Sequence, residues 1–426
     1  MTQPPISTNI KSDFILVEKF MHIERTLKKV IIEANNVFKV LLITGPRQVG
    51  KTTILKNIQA NTRSYISLDD IDIRMAAKED PAGFIDSLKL PVIIDEVQYA
   101  PELFPYIKVL VDSSNEKGSV WLTGSQQFSM MKNISESLAG RMAIIELQGI
   151  SQAEEEKRPN TPEFIPTKDI IRQRREIAQE ISKEKIFHRI WRGSYPEMVI
   201  NNANQWKLFY DGYLTTYIER DVREYLKIDD LMKFKKFMKV SANRTGQLLN
   251  FREISKEVKV TEPTIKSWFN VLEATGIIKL IYPYYKNTTK RILKTPKFHF
   301  MDTGLCCYLG HWLNPEVLEH GAMSGAFLES FVVSEIYKSH IHNSTIPSIY
   351  YYADKDKKEV DLLIEQNGLL HPIEIKKTSS VRNSGFKGFD YLKNLSTPIG
   401  HGAIICFQKS VIPFNNEIDI VPIGLI

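Results

Sequence analysis

Short apolar runs of strand length recur through the first third of the chain, and each ends in glycine or polar residues. VLLITG (40–45), ISLDD (66–70), PVIIDE (91–96), SVWLTGS (119–125) and MAIIELQ (142–148) share this form. Between them lie stretches with helical spacing, among them TTILKNIQ and LFPYIKVLVDS. Continuous apolar strands alternating with helices predict a parallel sheet covered on both faces. Residues 38–150 therefore read as a doubly wound α/β domain, preceded by a polar-rich helical lead-in over 1–37.

The pattern then breaks. SQAEEEKRPNTPEF and KDIIRQRRE are charged, carry prolines and lack a steady apolar period, which predicts a linker or exposed insertion over 151–184. Helical spacing returns in FYDGYLTTYIERDVREYL and LMKFKKFMKVSANRTGQLL. FREISKEVKVTEPTIKSWFNVLEATGIIKLIYPYY (251–285) predicts helix, tight turn, helix and strand, with Thr261 as N-cap, Pro263 in the first turn and Gly276 at the end. With a second strand in PKFHFMD (296–302), the order is that of a winged helix, so 185–305 reads as a helical plus winged-helix region. The remainder, 306–426, opens on the helix GAFLESFVVSEIYKSH (325–340). Strands follow in SIYYYAD, EVDLLIEQNG and LHPIEIKKT, then a helix near 386–394 and a buried strand in GHGAIICFQK, which together make a small α/β domain.

The length of 426 residues fits two or three domains. Lys and Arg number 56 against 50 Asp and Glu, and the resulting +6 permits nucleic acid as a partner without arguing for it. Three cysteines, Cys306, Cys307 and Cys406, make neither a disulfide framework nor a zinc spacing. The start MTQPPISTNIKSD lacks a signal layout and the longest apolar runs are strand-sized, so a cytoplasmic protein without a membrane partner is expected.

Gly45-Pro46-Arg47-Gln48-Val49-Gly50-Lys51-Thr52 fits G-x-x-x-x-G-K-[ST], with an apolar strand entering and a helix leaving. Glycines let the backbone wrap a phosphate, and the helix N-terminus points at the anion. Lys51 reaches the β- and γ-phosphates and Thr52 holds Mg²⁺. Thr53 completes the nucleotide-contacting stretch. Asp95 and Glu96 close a buried strand facing the same crevice: Asp95 suits water-mediated Mg²⁺ coordination, and Glu96 suits polarising the attacking water. Thr123 and Ser125 both end their strand where one of them can touch the γ-phosphate or that water. Arg141, in Ser137-Leu-Ala-Gly-Arg141, stands where an arginine acts on a neighbour's nucleotide or is a plain surface residue.

GPRQVGKTT, VIIDEVQ, LTGSQQF and SLAGR, in this order, resemble the AAA+ ATPases of the AAA_14 type. YIERDV (217–222), the winged-helix segment and RILKTPKFHFMDTGL (291–305) resemble the DUF4143 region that follows in that family. The resemblance implies ATP and Mg²⁺ as cofactors, with Lys51, Thr52, Asp95 and Glu96 in the roles above and Arg141 as an arginine finger. It also implies an α/β fold made of a P-loop AAA+ parallel-sheet domain, the middle region and a nuclease-like C-terminal domain.

Asp361, then Glu374-Ile375-Lys376 one hairpin later, resembles the PD-(D/E)XK nuclease pattern. On a strand Glu374 and Lys376 share a face, and Asp361 lies on the adjacent strand. Two such carboxylates can hold a divalent metal while the lysine orients water against a phosphodiester. Glu329 and Glu335, on the preceding helix, are candidates for a further ligand. Lys286, Lys290, Arg291, Lys294 and Lys297 form a run without acidic residues at the expected wing, suited to a phosphate backbone. Lys266, Trp268 and Asn270 on the second helix make no obvious set of base readers, and Tyr282, Tyr284 and Tyr285 suit strand packing. Three functions follow as alternatives: an ATP-driven switch or motor, an ATP-regulated nuclease acting on DNA or RNA, and a nucleotide-gated scaffold. Their candidate partners are a further copy of the chain, nucleic acid and an unidentified protein.

Overall fold

The computed structural model describes residues 23–59, 62–125, 138–177, 180–217, 231–285, 294–354, 358–381, 386 and 388–426. Gln126 to Ser137, most of YIERDV, and Lys286, Lys290 and Arg291 of the basic run lie outside the described residues.

The N-terminal sheet has five parallel strands in the order β2-β3-β4-β1-β5: β1 (Val40–Thr44), β2 (Ser64–Ser67), β3 (Val92–Asp95), β4 (Val120–Thr123) and β5 (Met142–Glu146). Alternation explains why these runs are apolar throughout. Leu41, Ile43, Ile93, Trp121 and Ile145 pack on one face, while Val40, Leu42, Ile94 and Leu122 pack on the other. The first face meets α1 (Leu27–Asn35) and α2 (Lys51–Gln59), and the second meets α3 (Leu103–Asp112). Strand β2 begins two residues before the run ISLDD, whose final aspartate caps the next helix through the N–H groups of Asp72 and Ile73.

The stretch expected as a linker or exposed insertion is interior in part: Glu154, Phe164, Ile171 and Arg174 are buried, while Lys168, Asp169, Arg172 and Glu176 face solvent. Ser151 forms a capping box with Glu154 that starts α4 (Gln152–Glu155), and α5 (Lys168–Ile177) follows. Its acids pair with buried arginines: Glu154, itself buried, with Arg25, and the half-buried Glu155 and Glu156 with Arg192 and Arg189. Arg174 donates to the carbonyls of Leu425 (2.8 Å) and Pro162. Polar burial of this kind leaves no apolar period to read.

In the middle region, α6 (Leu231–Ala242), α7 (Phe251–Val258) and α8 (Glu262–Ala274) precede the antiparallel pair β6 (Ile278–Pro283) and β7 (Lys297–Phe300). These two strands do not close a separate domain. They extend an eight-stranded sheet, β12-β13-β11-β10-β9-β8-β6-β7, through parallel pairing of β6 with β8 (Ile349–Ala353). Its other members are β9 (Glu359–Gln366), β10 (Leu369–Ile375), β11 (Gly402–Cys406), β12 (Ile412–Pro413) and β13 (Ile418–Pro422), and the long α9 (Ser324–Ile341) contacts β7 and β10. The boundary expected at residue 305 is therefore crossed by a continuous sheet. The helix expected near 386–394 is a 3-10 turn, Asp390–Asn394. All three cysteines are free and buried, and among the described residues no helix is long and apolar enough to cross a membrane.

Candidate nucleotide-binding site

The loop after β1 turns through positive φ at Gly45 (135°), Gln48 (60°) and Gly50 (95°) before α2 begins. At Gly45 space forbids a side chain as well: a Cβ would stand 2.0 Å from the Leu147 carbonyl oxygen. Lys51, 6% exposed, donates to the carbonyls of Gly45 (3.0 Å) and Pro46 (2.8 Å). Its ammonium thus lies against the loop, beside the positive end of α2.

Asp95, at the carboxyl end of β3, gathers three hydroxyls. Its carboxylate accepts from Thr52 Oγ1 (2.9 and 3.1 Å), Tyr65 (2.7 Å) and Thr123 Oγ1. Burial and the Asp95 carboxylate push the Tyr65 phenol up, which keeps it a donor. Glu96 follows with a left-handed backbone, φ 59°, and its N–H donates to Thr123 Oγ1 at 3.1 Å. An αL glutamate after a buried strand is a strained position that surrounding structure must hold. Gln98 does so from one turn on, its amide donating to the Glu96 carboxylate and to Ser125 Oγ (3.3 Å). Thr123 is thereby committed to Asp95 and Glu96, whereas Ser125 lines a cavity with Gly45 and Pro46.

Lys51, Thr52, Asp95, Glu96, Thr123 and Ser125 are thus brought to one crevice. Arg141 is not. Its carbonyl accepts from the N–H groups of Lys39 and Val40, level with the start of β1. The phosphate loop leaves the other end of that strand, about 16 Å away at ~3.3 Å per residue. The exposed Arg141 guanidinium forms a two-pronged pair with Asp112 at the end of α3, its Nη2 at 2.9 Å.

In the C-terminal sheet, Asp361 Oδ2 accepts from the N–H of Ile375 (2.7 Å), beside Glu374, which pairs with Lys376. Burial and then Asp361 push the Glu374 carboxyl up to about 7, and the same two causes push Glu329 up to about 8. Lys297 enters this group. It is buried, its ammonium donates to Glu329 (3.1 Å) and pairs with Glu359, so it does not join a basic surface on the wing. Among the described residues no three His, Cys, Asp or Glu side chains stand close enough to hold a metal together. Glu335 is elsewhere, accepting from the N–H of Gln152 (2.7 Å) and from Lys338 (2.8 Å). A cleft of about 890 Å³ joins Glu329, Glu359 and Asp361 to Arg252 and Glu262. Of the second-helix candidates, Trp268 is buried against Phe234 and Phe237, while Lys266 and Asn270 are exposed.

Residues 37–155 match the model of an AAA domain, AAA_14. They form a P-loop domain of the AAA ATPase type. Residues 183–316 match a domain of unknown function, DUF8612, and 324–426 match another, DUF4143. The DUF4143 likeness expected from 217–305 thus belongs farther along the chain, and the middle region matches a different model. The chain is 28% identical over 348 residues to an uncharacterised protein of Mycobacterium tuberculosis, covering 80% of this chain and 71% of that one. An uncharacterised protein of Methanocaldococcus jannaschii is 22% identical over 357 residues, covering 71% and 68%. Among solved structures, a Walker-type ATPase of Pyrococcus abyssi aligns over 68% of this chain and 96% of its own, at 14% identity and TM-score 0.43. The Thermotoga maritima RuvB Holliday junction branch migration motor aligns over 62% and 91%, at 17% identity and TM-score 0.31.

Tyr65, Gln98 and Arg25 were not legible as site residues. Arg25 donates to the Val49 carbonyl (2.9 Å) inside the phosphate loop and to Gln148 (2.7 Å). Only the fixed distance of Gln98 from Glu96 in VIIDEVQ offered a signal.

Proposed function

We propose that the chain is an ATP-hydrolysing switch whose nucleotide state is felt by the middle and C-terminal regions. The observation that carries this is the Thr52–Asp95 pair, a hydroxyl and a carboxylate held together beside Lys51. Thr52 and Asp95 fit Mg²⁺, which would supply charge neutralisation on the β- and γ-phosphates. Residues Gly45 to Thr53 wrap the phosphates, and Lys51 leaves the loop carbonyls for the β- and γ-oxygens. Glu96, oriented by Gln98, takes the proton of the attacking water, while Ser125 touches the γ-phosphate or that water. Residues 231–300 act as a winged helix that relays the change. Lys51→Ala should lose ATP binding, and Glu96→Gln should bind ATP while turnover falls on the order of a hundredfold or more. Undiminished turnover in Glu96→Gln, measured by phosphate release, removes the base role.

A second reading concerns the carboxylates beside the cleft, as a metal-assisted phosphodiester site in which Asp361, Glu374 and Glu329, too far apart to hold an ion as they stand, would close on one that takes the place of Lys297, with Lys376 beside them. It is favoured by the Glu374 Oε2 atom, which is buried without a hydrogen-bond partner. Lys297 already supplies positive charge there, so a divalent ion must displace it. Lys297→Met should therefore bind Mn²⁺ more tightly than the unaltered chain, and Asp361→Asn should abolish that binding without changing ATP turnover. Absence of Mn²⁺ binding by Lys297→Met in calorimetry leaves the cleft as a docking platform.

A further inference from the structure

Gln98 sits in the 3-10 turn Val97–Tyr99 that follows β3. Val97 and Ala100 anchor this turn in the core shared with Ile94 and Leu122. The Tyr99 and Ala100 N–H groups close it on the carbonyls of Glu96 and Val97, each at 3.1 Å. Held between these anchors, the Gln98 side chain is only 7% exposed.

The two ends of its amide are not treated alike. Nε2 donates to the Glu96 carboxylate and to Ser125 Oγ (3.3 Å). A carboxylate only accepts, so the nitrogen must be the end that faces it. Oε1 is then fixed on the other side of the same amide, buried, with no hydrogen-bond partner among the described residues. An interior carbonyl without a donor is destabilising, and it is kept where function supplies the donor. The Gln98 carbonyl and the Glu96 carboxylate are joined through the amide N–H, so one water can give a hydrogen to each. Ser125 accepts from the amide and keeps its own O–H to give.

We infer that Gln98 is a catalytic residue, whose carbonyl accepts the second hydrogen of the attacking water while Glu96 accepts the first. This rests on the hydrolysis reading above. The water oxygen bonds to the γ-phosphorus as the bond from that phosphorus to the β–γ bridging oxygen breaks, and its electron pair leaves with ADP. One water proton passes to the Glu96 carboxylate. The other stays on the oxygen of the new phosphate, held by Gln98 until the bond has formed. With both hydrogens engaged, the remaining lone pair is aimed at phosphorus. A neutral amide suits the task, since a second carboxylate there would repel the γ-phosphate and compete with Glu96 for the proton.

A double-mutant cycle on the full chain separates this role from support of Glu96 alone. Gln98→Met is close in volume and loses both polar ends. It should bind ADP with Mg²⁺ as the unaltered chain does, yet bind ADP–aluminium fluoride, which holds the water in line, about tenfold more weakly. Phosphate release should slow by about the same factor. In a Glu96→Gln chain, adding Gln98→Met should lower the residual single-turnover rate about tenfold again, because the two groups hold different hydrogens. If Gln98 acts only through Glu96, the second substitution changes nothing once Glu96 is replaced. That result overturns the inference, as does an unchanged rate in Gln98→Met itself. Should Gln98→Met fail to bind ADP, Gln98→Asn, whose amide is set back by one methylene, takes its place in the same cycle. An unaltered chain that binds ATP but releases no phosphate removes the hydrolysis reading and this one with it.

Discussion

Glu154 is 1% exposed and has four partners: the N–H groups of Ser151 (2.9 Å) and Thr26 (2.8 Å), Arg25 Nε (3.1 Å) and His342 Nδ1 (3.4 Å). Burial pushes its carboxyl up, but Arg25 and His342 outweigh that and hold it well below the usual carboxylate range. One residue therefore ties the lead-in, α4 and the end of α9 together, while Arg25 reaches on to Val49 of the phosphate loop. Glu154→Gln leaves the Arg25 charge buried without its counter-ion, so unfolding in denaturant at neutral pH should cost about 3–5 kcal/mol less. The sign with pH follows from the lowered value: the stabilisation is complete above about 4.5 and is lost as pH falls toward the folded value. The gap between the two proteins should narrow steadily in acid, and a gap constant from neutral pH into the acid range would show that the charge of Glu154 is not what stabilises.

Among elements, those buried by apolar residues were legible and those buried by charge were not. The five strands of the AAA domain fall on the apolar runs, and the helix, turn, helix and strand over 251–285 stand where the spacing put them. So do Asp95 and Glu96, because a buried strand ending in two acids is a local pattern. Residues 151–184 look solvated by composition, yet Arg174 and Glu154 are interior, paired with residues far away in the chain. Lys297 departs from the basic run for the same reason. Its neighbours in sequence are basic, whereas its neighbours in space are Glu329 and Glu359. Period-two spacing brought Asp361 and Glu374 to adjacent strands, but no periodicity reports an ion pair made by another element.

For the whole molecule, one apolar core runs from Leu27 on α1 through the middle helices to Ile426. Arg141 faces away from its own loop, so a finger role needs a second copy. Turnover per chain should then rise with protein concentration. Mixing Arg141→Ala with Lys51→Ala chains should recover activity that neither has alone, about a quarter of the original if pairs form at random and each site works independently. A rate independent of concentration, with no recovery on mixing, assigns Arg141 to its pair with Asp112 alone.

The shared sheet also bears on how the chain can be divided. A fragment cut to begin at residue 324 would keep β8 to β13 and discard β6 and β7, baring the backbone groups of Tyr350 and Tyr351 that pair with Tyr282 and Pro283. A raw edge of that kind invites strand-to-strand association between molecules. The unit that evolution can move as a piece is therefore longer than the C-terminal homology it carries, and it begins upstream of β6.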